Sequence, residues 1–134
     1  MFIELEMTIK LLLAVLLGAM IGYEREMKRR PAGLRTHMLV SLGSALFTIL
    51  SLNAFPGSDP ARVASNILVG IGFIGAGTVL QMKERVIGLT TAASLWVTAA
   101  IGMAVGSGFY LVAIITAVVA FATLWLKEIE KKTR

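Results

Sequence analysis

From Val86 to Leu126 the chain runs 41 residues without an Asp, Glu, Lys, Arg or His. A bilayer core accommodates about 20 apolar residues per helix, so this stretch must cross twice. Gly106-Ser107-Gly108 is its only obvious break, which predicts spans at about 89–105 and 109–126. A soluble domain of 134 residues exposes too much surface to hide a chain that is 57% hydrophobic, 16% charged and has a mean hydropathy of +0.82. The apolar runs are continuous rather than alternating, which argues against a strand barrel. The fold class is therefore all-α, an integral membrane helical bundle.

The charges gather in a few places. Gly22 to His37 holds Glu24, Arg25, Glu26, Lys28, Arg29, Arg30 and Arg35, five of them basic, between two apolar segments. Short loops rich in Lys and Arg stay cytoplasmic, so this hinge orients the molecule. Pro31 and Gly33 interrupt the helix there. The first span is predicted over about 9–23, with Lys10 reaching to the interface, and the second over about 36–53. A turn-rich loop from Asn53 to Pro60 follows. Asp59-Pro60 reads as a helix start, with Asp59 as N-cap, Pro60 in the first turn and the Arg62 amide as the capped group. The third span is expected over about 60–82, ended by Lys83-Glu84-Arg85. Five transmembrane helices result, with the N-terminus outside and the C-terminus cytoplasmic. This puts all basic residues but Lys10 and Arg62 on the inner side. Tyr23 and Trp125 then fall at the inner interface and Tyr110 at the outer. Trp96 lies deeper and is expected to pack inside.

Small residues recur at helical spacing. Gly18 and Gly22, and Gly102 and Gly106, form two G-x-x-x-G pairs; Gly70, Gly72, Gly75 and Gly77 crowd the third span. In lipid, glycine lets helices approach closely enough for van der Waals contact. Packing within the chain is the expected use, and packing between chains the alternative; so small a bundle makes a homodimer plausible. Gly70 to Gly75 also matches G-x-G-x-x-G. It lacks the preceding strand and helix start that a dinucleotide site needs, so it marks at most a loosened point in the helix.

The polar residues with functional potential are few. Glu24, Arg25 and Glu26 sit where the first span meets the cytoplasm; a solvated boundary with Arg25 paired to Glu is the plain expectation, and a functional ion pair or partner surface the alternative. Arg35, Thr36 and His37 open the second span as an interface cap with His37 neutral, a pH-responsive group being the alternative. Asp59 and Arg62 pair locally, with an outer cation site as the alternative. Ser65, Asn66, Thr78, Gln81, Thr90, Thr91, Ser94 and Thr98 either bond across helices or line a small cavity. There is no cysteine and one histidine, so thiolate and multi-histidine metal sites within one chain are excluded. No carboxylate lies near the middle of a span, which weakens a magnesium carrier. No nucleophile–base pair points to an enzyme. No cofactor is expected. The net charge of +5 reflects orientation and anionic lipid rather than nucleic acid.

Gly22-Tyr23-Glu24-Arg25-Glu26, Arg30-Pro31-Ala32-Gly33-Leu34-Arg35-Thr36-His37, Asp59-Pro60-Ala61-Arg62-Val63-Ala64, Gly70 to Gly77 and Gly88 to Ala100 together resemble the MgtC/SapB family of bacterial inner-membrane proteins. Asn66 stands where Gln is expected in the family. Longer members carry a soluble cytoplasmic domain; this chain stops eight residues past Leu126, so 1–134 is expected to be a single transmembrane domain. The resemblance implies adaptation to low magnesium and survival inside hosts, and for some members restraint of the membrane ATP synthase. A non-enzymatic regulator of other membrane proteins is the leading expectation. A magnesium or other cation transporter is the alternative, resting on Glu24, Asp59 and the glycine-rich third span. A lipid-organising protein comes third.

Overall fold

The computed structural model describes residues 1–82 and 85–133, without side chains at 80–85 and 128–134. Helices α1 (Phe2–Met27), α2 (Leu34–Asn53) and α3 (Ala61–Ala76) come first. An antiparallel hairpin of β1 (Leu80–Met82) and β2 (Arg85–Ile87) follows, then α4 (Leu89–Gly106) and α5 (Tyr110–Thr133). Helices α1, α2, α4 and the Tyr110–Lys127 part of α5 are each long and apolar enough to cross a membrane. The chain folds as an all-α membrane bundle.

Two of the turns end in the same hydrogen-bonded cap. At the end of α4, Phe109 N–H reaches Ala104 O and Gly108 N–H reaches Val105 O, with Gly108 at φ +87°. At the end of α1, Arg30 N–H reaches Arg25 O and Arg29 N–H reaches Glu26 O, with Arg29 at φ +52°. Both are Schellman caps, which want glycine in the left-handed position; in the basic hinge an arginine occupies it.

The third helix departs from expectation. It was expected to reach Met82 but ends at Ala76. The Thr78 hydroxyl donates to Gly75 O at 2.7 Å, the Gly77, Thr78 and Val79 amides close a tightened last turn, and the chain then enters the hairpin. Gly88 (φ +89°) turns the hairpin into α4, and a Cβ there would meet Thr78 O. The expected terminator Lys83-Glu84 lies outside the described residues. The helix is regular across Gly70 to Gly75, so no unwound point exists there.

Helix α2 is the axis of the bundle, with α1 and α4 against it and against each other. Ala14, Leu17 and Ile21 of α1, Ala45 of α2, Ile101 and Val105 of α4, and Ala113, Ala117 and Leu124 of α5 make the main core. A second cluster joins Ala32, Ile71, Leu95 and Ala99. The Ser51 hydroxyl donates to Pro60 O at 3.1 Å, which ties the start of α3 to the end of α2. Gly75 meets Ala92 at the other end. The hinge, the end of α3 and the start of α4 thus share one end of the bundle, cytoplasmic by its basic charge. Trp96, expected inside, is 57% exposed; the outside of a membrane bundle is lipid, which an indole face suits.

Candidate functional site

The two G-x-x-x-G pairs pack on one stripe of α2, Gly18 and Gly22 against its first half and Gly102 and Gly106 against its middle. A Cβ on Gly18 would lie 2.6 Å from His37 O and 2.8 Å from Ser41 Cβ, and one on Gly22 would lie 2.8 Å from Leu34 Cα. A Cβ on Gly102 would collide with Ser41 O, and one on Gly106 would lie 2.7 Å from Ala45 O. Backbones this close leave room only for small side chains on α2, and Ser41, Ser44, Ala45 and Thr48 supply them. The Ser44 hydroxyl donates to Ala99 O at 2.6 Å across the α2–α4 contact. The α3 glycines behave differently: nothing lies within 4 Å of a Cβ on Gly70 or Gly72, Gly75 makes ordinary contact with Ala92, and Gly77 meets its own helix.

At the cytoplasmic end of the clasp lies a buried polar layer. Glu24 and Arg25 are 3% and 4% exposed and joined by an Arg25 Nε to Glu24 Oε2 bond of 2.6 Å. The solvated boundary pair expected from the sequence is instead a buried one, because α2 and α4 cover the last turn of α1. Arg25 Nη1 makes a long contact of 3.5 Å with Thr91 Oγ1. Glu24 Oε1 is buried without a hydrogen-bond partner, 4.0 Å from Lys28 Nζ, which itself lies over the Trp125 ring of α5. Glu26, one residue on, accepts the Leu34 amide at 2.8 Å and caps α2.

His37 is fully buried. Its Nδ1 is 2.8 Å from Gly33 O and its Nε2 2.9 Å from Ser94 Oγ. The Ser94 hydroxyl is also 2.7 Å from Thr91 O, and Thr98 donates to Ser94 O. One turn further along α2, Ser41 Oγ is buried and unpartnered. Thus Glu24, Arg25, His37 and Thr91 come together, with Ser94 and Thr98 added. Arg35 is exposed nearby, and Thr90 is exposed on a groove between α4 and α5.

Asp59, Arg62 and Asn66 lie at the far end of the bundle or along α3. The Asp59 carboxylate accepts the Ala61 amide at 2.9 Å, not the Arg62 amide, because the helix begins at Ala61 with Pro60 as its cap. Asn66 Nδ2 donates to Arg62 O. A groove of about 660 Å³ opens between α2 and α3, lined by Leu39, Gly43, Phe47, Asn66, Gly70 and Ile74 among others. Among the described residues no group of three His, Cys, Asp or Glu is placed to hold a metal ion.

A polytopic bundle knitted by glycine contacts around a buried charge pair is the class of protein this geometry defines. The MgtC family model matches residues 11–132, and the chain belongs to that family. It is 50% identical over 113 residues to Escherichia coli strain K12 "Putative magnesium transporter YhiD", covering 78% of this chain and 53% of that protein. It is 43% identical over 118 residues to Bacillus subtilis SapB (81% and 51%) and 45% identical over 121 residues to Salmonella typhimurium strain LT2 MgtC (90% and 52%). The chain spans about half the length of these relatives. No solved structure matches. Family and spans together make it a multi-pass protein of the bacterial inner membrane.

Proposed function

We propose that this chain is a non-enzymatic regulator that binds a helix of another membrane protein in the groove between α2 and α3. The observation that carries this reading is uncovered Gly70 of α3, which meets nothing within 4 Å and lines an apolar groove of about 660 Å³. Small residues at a membrane helix surface let a second backbone approach closely, and in α1 and α4 of this same chain they are used for that purpose. The family resemblance suggests the membrane ATP synthase as the partner, and adaptation to low magnesium and survival in hosts as the setting. A photo-activatable residue at Phe73 on the exposed side of α3, irradiated in native membranes, should capture a membrane protein. Gly70→Trp should abolish the capture while the bundle stays folded. Recovery of lipid alone, or only of a second copy of this chain, would overturn the regulator reading, the latter in favour of a homodimer.

The name of YhiD favours a second reading, transport of magnesium or another cation. Glu24 and Asp59 do not converge on one pathway, since they flank opposite ends of α2, a 20-residue helix of about 30 Å. Magnesium uptake into liposomes that falls with Glu24→Gln would support transport, and uptake no greater than in empty liposomes would remove it.

A further inference from the structure

The hydrogen bonds around His37 require more protons than a neutral ring supplies. A carbonyl oxygen only accepts, so the 2.8 Å contact with Gly33 O puts a proton on Nδ1. In a neutral ring Nε2 is then bare, and the Ser94 hydroxyl must donate to it across 2.9 Å. That hydroxyl has one proton, and it also sits 2.7 Å from Thr91 O, which again only accepts. Both Ser94 contacts are satisfied together only when Nε2 carries a proton as well. The ring then donates to Ser94 Oγ, and Ser94 donates to Thr91 O.

We propose that Gly33, His37, Ser94 and Thr91 form a buried proton-binding site that bridges α2 and α4. A proton taken from hydronium on the cytoplasmic side, which is left as water, adds to Nε2. The Ser94 hydroxyl keeps its own proton and turns it from Nε2 to Thr91 O, so the ring gains one proton and the His37–Ser94 hydrogen bond reverses direction. Two features suit the site to this task. Ser94 also lines a mostly apolar groove of about 410 Å³ between α4 and α5, which brings the site close to the outside of the bundle. The charges nearest the ring are on α1, Glu24 and Arg25 of opposite sign, and Glu24 Oε1 has no hydrogen-bond partner. Helix α4 faces the ring with hydroxyls only, Arg35 of α2 itself points to the outside, and Arg62 of α3 sits at the far end of that helix. Gaining a proton therefore changes the local charge by one and re-aims the hydrogen bond that links α2 to α4.

His37 is the chain's one histidine, so ¹⁵N-histidine labelling of the full chain in nanodiscs reports on it alone. The expected result is a neutral ring protonated at Nδ1 at high pH and doubly protonated at low pH, within about pH 4–9. Its midpoint should differ at least threefold in proton concentration between the wild type and Ser94→Ala, because a charge-assisted bond to Ser94 is stronger than the neutral one it replaces. A neutral ring protonated at Nε2 would overturn the site without any variant. A ring that never gains its second proton in that range, or equal midpoints in the two proteins, would also overturn it.

Discussion

Helices α1 and α4 each carry two glycines four residues apart, and all four meet the backbone of α2 at distances no Cβ could occupy. Helix α3 carries a denser set, and two of its glycines meet nothing. Glycine in the first region removes a side chain that would hold helices apart; in the second it leaves a surface low enough for something else to approach. The charged residues follow the same division. Glu24 and Arg25 are sealed under the clasp, whereas Asp59 and Arg62 at the start of α3 are exposed. Dense glycine therefore does not by itself mean dense packing.

The sharpest break of this contrast is Arg25→Ala, which strands the buried Glu24 carboxylate. It should destabilise the bundle by about 3–5 kcal/mol, read as unfolding in mixed micelles. Gly102→Ala should cost about 1–3 kcal/mol or more, since its Cβ meets Ser41 O and neither backbone can yield cheaply. Gly70→Ala should change stability by no more than about 0.5 kcal/mol; a loss as large as that of Gly102→Ala would erase the distinction between the two regions. Asp59→Ala should cost about 1 kcal/mol through its cap on Ala61. A gain rather than a loss sharpens the hinge: Arg29→Gly should stabilise by about 0.4–1 kcal/mol, because φ +52° suits glycine.

Much of the clasp was legible in the sequence. A spacing of four places Gly18 with Gly22, and Gly102 with Gly106, on one helix face whatever the partner. The partner stripe on α2, Ser41, Ser44, Ala45 and Thr48, carries the same spacing but reads as ordinary polarity until the glycines are seen against it. The burial of Glu24 and Arg25 was not legible, since it depends on α4 arriving 66 residues later to place Thr91 beside Arg25. Ser94 as the partner of His37, 57 residues away, is long-range in the same sense, whereas Glu26 caps α2 across only eight residues, once the hinge turns. The early end of α3 was hidden because Val79 to Met82 continues the apolar run, and only the turn at Gly88 shows that the chain has left the helix.

The 16 residues of α3 rise about 24 Å, whereas the 26 of α1 rise about 39 Å. A hydrocarbon layer of about 30 Å therefore meets a helix shorter than itself on one flank of the molecule and longer on another. On the α3 flank the bilayer thins or a neighbour with an equally short apolar belt takes the place of lipid. A bilayer that adapts to both flanks is thinner beside α3 than beside α1, a gradient around the molecule. That gradient favours short-belted neighbours beside α3 before any side chain of theirs has touched it.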